Sequence, residues 1–182
     1  MAEERGEAAP AKEGAAKAAA PCSARQRNAV LFCAVALGWL GVDALTKALA
    51  EGAAPSAVAL VPGVLDLQLV HNTGGAWGLF GDMTAALGAV SLAVCALILA
   101  YLFWLAPGSS AGEATGLALV FAGGVGNALD RFLRGYVVDF LDPAFVDFPV
   151  FNVADIGVTC GIAVFFAALA WQGARERKEG SA

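Results

Sequence analysis

Four apolar stretches dominate the chain: Ala29 to Ala50, Thr84 to Leu105, Ala114 to about Leu129, and Ile156 to Trp171. The first two run to about 22 residues, enough for a helix rising 1.5 Å per residue to cross a hydrocarbon core of roughly 30 Å. Inside a bilayer each backbone N–H and C=O needs a partner within the protein, which confines spanning segments to helices or closed barrels. Uniform apolar runs of this length fit helices. The 59% apolar content and mean hydropathy of +0.69 agree, since soluble domains hold about 45–50% apolar residues. The expectation is an all-α integral membrane protein with four transmembrane helices, near 29–50, 84–105, 114–133 and 154–172, forming one membrane domain over 25–174.

The ends differ from the middle. Residues 1–24 are rich in Ala, Glu, Lys and Gly and contain no aromatic or β-branched residue, the composition of a disordered tail. The first apolar stretch is too long for the core of a cleaved signal peptide and lacks a convincing A-x-A exit, so it reads as a retained helix. Residues 175–182 read as a second charged tail. Arg25, Arg27, Arg175, Arg177 and Lys178 sit at the two ends, and basic residues are scarce in the two long loops. The positive-inside rule then puts both tails in the cytoplasm and the loops 51–83 and 134–152 on the outer face.

Those loops have structure of their own. Pro55, Pro62, Gly63, Gly74, Gly75, Gly78 and Gly81 break any helix, while Leu65, Leu67 and Leu69 alternate with Asp66, Gln68 and Val70, as in a strand followed by a turn. The second loop carries Pro143 and Pro149 and a short extended piece, Val137 to Phe140.

Charge and cysteine usage exclude other classes. Between residues 28 and 172, ten of the thirteen charged side chains are acids, so no basic patch exists for nucleic acid. Cys22, Cys33, Cys95 and Cys160 are far apart without a C-x-x-C pair, which predicts neither a disulfide nor a zinc site. The single histidine, His71, reads as structural or solvated. No metal and no organic cofactor are expected.

The acids in the apolar middle are what remains to explain, because an ionisable group at the edge of hydrocarbon is costly and marks function. Asp43 and Lys47 stand at i, i+4 on the first helix, acid before base, and can neutralise one another. Gly123-Gly124-Val125-Gly126-Asn127-Ala128-Leu129-Asp130-Arg131 puts three glycines in four positions, tolerable where another helix packs closely, and sets Asn127, Asp130 and Arg131 on one polar face. Asp139 lies among Val137, Val138 and Phe140, which would desolvate it and raise its pKa. With Asn152 as N-cap, Asp155 falls at N3 of the fourth helix. Two carboxylates in such different surroundings suit general acid/base hydrolysis across a water. A Ser/His arrangement does not fit, and Asp142 and Asp147 read as solvated.

Taken in order, Asp43-x-x-Thr46-Lys47, Asn72-x-Gly74-x-Ala76-Trp77, Gly126-Asn127-x-x-Asp130-Arg131, Val138-Asp139-Phe140 and Phe151-Asn152-x-Ala154-Asp155 resemble the motif set of the lipoprotein signal peptidases, also called signal peptidase II. The resemblance covers residues 43–155 and leaves out only the tails. It implies an inner-membrane aspartic endopeptidase that removes signal peptides from diacylglyceryl-modified prolipoproteins, cutting just before the lipobox cysteine. The catalytic aspartates would be Asp139 and Asp155, supported by Asp43, Lys47, Asn72, Gly74, Asn127, Asp130, Arg131, Asn152 and Ala154. It further implies a small extracytoplasmic β-cradle, a lid over the site, contact with membrane lipids, inhibition by globomycin and a monomeric enzyme. The competing expectation is a small transporter or proton-conducting protein with a polar track. A third is a structural scaffold, which would leave Asp139 without a reason.

Overall fold

The computed structural model describes residues 24–53, 57–75, 81 and 83–179. Most of the first tail therefore lies outside the described residues, as do Cys22, Ala76, Trp77 and Gly78. Helix α1 (Ala24–Gly52) is followed by strands β1 (Val58–Val61) and β2 (Leu65–Asn72). Then come helix α2 (Thr84–Ala100), helix α3 (Ala111–Arg134), strand β3 (Val137–Pro143) and helix α4 (Val153–Glu179). A five-residue π-helical turn, Tyr101–Leu105, extends α2.

Three described helices are long and apolar enough to cross a membrane: Arg25–Gly52, Thr84–Leu105 and Val153–Glu179. Leu37, Leu45, Val90, Leu97, Phe166 and Trp171 on their outward faces are exposed, as expected of surfaces whose solvent is lipid. Helix α3 is different. It packs against each of the other three helices and supplies much of the buried surface, including Ala114, Ala118, Ala122 and Ala128. Glu113, Gly116, Gly123, Gly126, Asn127 and Asp130 dilute its hydropathy, and all six are buried within the protein. The helix starts with a reciprocal cap in which Ser110 Oγ accepts from Glu113 N and the Glu113 carboxylate accepts from Ser110 N. It ends at Gly135, whose φ of 81° lets the chain turn back into β3.

Close approach of α3 and α4 depends on small residues. A Cβ on Gly116 would lie 2.6 Å from Phe165 N, and one on Gly161 would lie 2.6 Å from Gly116 O. Two backbones in contact gain dispersion where the hydrophobic effect gives nothing, which is how helices associate in lipid.

The sheet has the order β1-β2-β3, both pairs antiparallel, with Val70 opposite Asp139 and Asn72 opposite Val137. It sits at one end of the bundle, where Ala50 of α1 packs on Val138 and Phe140. The alternation at 65–70 is thus part of a real strand, and the mostly helical chain carries the small sheet that the family resemblance implied, with three strands. Residues 144–150 turn without forming a helix. At the far end of the fold α4 runs through Glu179, so the charged residues 175–179 continue the helix. Its polar last turns carry an Arg175–Glu179 pair at i, i+4, a spacing that supports helix in water.

Replacing Gly116 by Val should cost about 1–3 kcal/mol through overpacking, whereas Gly38→Val should be close to neutral because nothing lies within 4 Å of its Cβ position. Thermal unfolding in detergent distinguishes the two. Equal melting temperatures would contradict the close α3–α4 contact.

Candidate active site

The site lies where the sheet meets the ends of α1, α3 and α4, and each element delivers one or two polar groups to it. Strand β3 brings Asp139, which is 2% exposed. Helix α4 brings Asp155 from its first turn. Asn152 caps that turn: its Oδ1 accepts from Asp155 N at 3.0 Å, and its own N–H donates to Asp155 Oδ2 at 3.1 Å. Asn152 also donates through Nδ2 to Asp139 Oδ1 at 2.7 Å. One fully buried side chain therefore holds both aspartates.

The other oxygens are held just as definitely. Asn72 Nδ2 donates to Asp139 Oδ2 at 2.9 Å, and Asn127 Nδ2 donates to Asp155 Oδ1 at 2.8 Å. The amide orientations are forced, because the oxygen of each amide faces a group that can only donate. Asn127 Oδ1 accepts from Lys47 Nζ, Asn72 Oδ1 accepts from Gly74 N, and Asn152 Oδ1 accepts from Asp155 N. Flipping any amide would set donor against donor.

Behind this layer Lys47 Nζ lies 2.9 Å from Asp43 Oδ2, 2.8 Å from Asp130 Oδ2 and 3.0 Å from Asn127 Oδ1. Asp43 Oδ1 accepts from Ala154 N at 2.9 Å, and Asp130 Oδ1 is also paired with Arg134 Nε at 3.3 Å. The Asp43–Lys47 pair is therefore buried and bonded into the same network as Asn127, Asp130 and Ala154. Arg131 does not join its neighbour Asp130, since residues at i, i+1 point apart on a helix. Its guanidinium donates to the carbonyl oxygens of Gly74 and Asn127, tying the end of β2 to α3. All the described residues anticipated for the site thus fall in one connected network.

A cavity of about 240 Å³ opens between Asp139 and Asp155, lined also by Asn72, Asn127, Arg131 and Phe148. On the side of β2 it adjoins a wider space of about 400 Å³ that reaches His71, Thr73 and Asp147. Along the start of α4 an apolar groove lined by Phe148, Phe151, Ile156, Thr159 and Cys160 leads away from Asp155. Asp147 is exposed, as expected, and His71 stacks on Tyr136 with ring centroids 4.1 Å apart. Asp142 is half-buried and sits opposite Asp66 across the β2–β3 ladder. Among the described residues no group of three or more His, Cys, Asp or Glu is placed to hold a metal ion.

Burial pushes the Asp139 carboxyl up to about 6; the amide donors of Asn72 and Asn152 work against burial, and the charge of Asp155 works with it. The apolar flanks of Asp139 announced this direction. A carboxyl that titrates near 6 beside a second carboxylate can hold or release a proton near neutral pH, which equips the pair to activate water.

Sequence reasoning missed Trp39, whose Nε1 donates to Val153 O at 3.1 Å, and the phenylalanines Phe148 and Phe151 that wall the cavity. Trp39 stands one turn before Asp43 on α1, a spacing that could have flagged it.

A family model for signal peptidase (SPase) II matches residues 35–171. A lipoprotein signal peptidase of Gloeothece citriformis is 44% identical over 76% of this chain and 87% of its own length. One from Gloeobacter violaceus is 40% identical over 72% of this chain and 77% of its own length. Among solved structures, a bacterial membrane enzyme determined by the in meso method superposes with a TM-score of 0.71 at 26% identity, over 79% of this chain and 90% of the other. The class is therefore that of a multi-pass membrane peptidase. More narrowly, the chain belongs to the signal peptidase II family, and the transporter alternative has no support.

The pH dependence of stability tests the buried carboxyl. The native state keeps the Asp139 proton that the unfolded chain releases near pH 4, so stability should fall as pH rises from about 4 to about 6. The loss is at most about 3 kcal/mol at roughly 1.36 kcal/mol per pKa unit. In Asp139→Asn that component should vanish, seen as a flatter melting temperature across the same window. Parallel curves for the two proteins would contradict the assignment.

Proposed function

We propose that this peptidase is of the aspartic type, with Asp139 and Asp155 as the catalytic pair, and that it removes signal peptides from diacylglyceryl-modified prolipoproteins. The observation that carries the reading is the shared grip of Asn152 on both carboxylates at the mouth of one cavity. A water between the carboxylates would be deprotonated by one while the other, protonated, polarises the scissile carbonyl. The proton then passes to the leaving amine, and the pair exchanges roles. Because the two groups interact, their titration belongs to the pair.

The relatives are lipoprotein signal peptidases, and the surroundings of this site suit the same substrate class. The apolar groove beside Asp155 suits the lipid-embedded part of a substrate, and the polar space beyond Asn72 suits the chain that continues into water. Helix α3 is the fourth crossing in this reading: 24 residues span about 36 Å, and of its charged groups Glu113 and Asp130 are buried within the protein. Basic residues at both ends of the chain then put the termini in the cytoplasm and the site at the outer face of the inner membrane, with the sheet as cradle. The enzyme would work as a monomer in contact with membrane lipid and would bind globomycin-type inhibitors at the same cavity.

The test is cleavage of a diacylglyceryl-modified prolipoprotein by the purified protein in detergent. Asp139→Asn and Asp155→Asn, each nearly isosteric, should each lose roughly 10²–10⁴-fold or more in turnover, the share of a positioned acid or base. Near-normal turnover in either folded variant would remove that residue from the pair.

A further inference from the structure

The start of α4 is held by α1 through one peptide group. The carbonyl of Val153 and the N–H of Ala154 belong to the same peptide unit. Trp39 Nε1 donates to the carbonyl at 3.1 Å, and Asp43 Oδ1 accepts from the N–H at 2.9 Å. Trp39 and Asp43 are one helical turn apart, so they lie on the same face of α1 and reach opposite edges of that peptide. Gly157 completes the arrangement. A Cβ at that position would lie 2.2 Å from Trp39 Nε1 and 2.8 Å from Trp39 Cδ1, so any larger residue would drive the indole off the carbonyl.

We propose that Trp39, seated against Gly157, is a positioning residue that fixes the height and rotation of the first turn of α4 and thereby the geometry between Asp155 and Asp139. The inference rests on the catalytic reading of those two aspartates. The gripped peptide lies between Asn152, which caps the turn, and Asp155, which ends it, so a rotation of that turn changes both contacts of Asn152 together. Asp43 alone fixes one edge of the peptide and leaves rotation about that single hydrogen bond open. The indole N–H removes this freedom. Behind Asp43, Lys47 is bonded to Asp43, Asp130 and Asn127, so the clamp ties the position of Asp155 to a buried network shared by α1 and α3.

Trp39→Phe keeps an aromatic ring, though a smaller one, and deletes the N–H donor; Gly157→Ala keeps the donor and displaces the indole. Both should lower kcat about tenfold on a lipidated prolipoprotein with KM within twofold, since small displacements of a reacting group act on the chemical step. Both should speed amide hydrogen exchange in the peptide covering 153–157 and leave exchange in α2 unchanged. Combined, they should cost no more than either alone, because both break the same contact. Wild-type kcat and wild-type exchange in both variants would overturn the proposal, as would losses that multiply in the double variant. A lowered melting temperature with kcat and local exchange unaltered would show a merely structural tryptophan and also overturn it. If the wild type cleaves no lipidated substrate, the peptidase reading has failed, and the exchange comparison by itself decides the clamp.

Discussion

A buried ammonium sets the terms for everything around it. Lys47 is 2% exposed and is met by two carboxylates and one amide oxygen, so its charge is compensated where water is largely excluded. Removing either side of such a pair leaves an uncompensated charge and costs about 3–5 kcal/mol, which makes the arrangement hard to deform. Its value lies in what it specifies. Because Lys47 can only donate, Asn127 must present its oxygen to Lys47 and its nitrogen to Asp155. Asp43, held by the same ammonium, accepts from the first turn of α4. The pair of aspartates is thus positioned by a charge that touches neither of them.

This explains why so much polarity is tolerated at the end of a membrane bundle. Each buried donor or acceptor of the three amides has a partner, and the partners are drawn from five elements: α1, the end of β2, α3, β3 and the start of α4. A half-satisfied network would cost more than an apolar core. The sheet closes the arrangement from the opposite side, since β2 supplies Asn72 in the register that places Val70 against Asp139. The bundle supplies rigidity through backbone contact at Gly116 and Gly161, and the cavity supplies access.

Much of this was legible in the sequence because it is written at short range. The i, i+4 spacing of Asp43 and Lys47, the Asn152 cap with Asp155 at N3, and the apolar neighbours of Asp139 each depend on a few adjacent residues. Helix spans were legible for the same reason. Partners chosen across the fold were not. Nothing local says that Asp130 turns to Lys47 while Arg131 turns to Gly74, or that Asp142 faces Asp66. Strand β1, four residues of Val, Ala and Leu, has no alternation to announce it, and its pairing with β2 decides it. The helical state of residues 175–179 was not legible either, because Arg and Glu residues after an apolar span read equally well as coil, and their pairing along α4 shows only in the structure.

The central claim is that Asp139 and Asp155 together activate a water molecule, which then attacks the scissile carbonyl directly. The most direct measurement is a single turnover in heavy-oxygen water with enzyme in excess over a lipidated prolipoprotein. The account predicts one heavy oxygen in the new carboxyl terminus of the released signal peptide and none in either aspartate. Label in Asp139 or Asp155, with light oxygen in the released peptide, would mean that a carboxylate had attacked the carbonyl itself, and the account would be wrong.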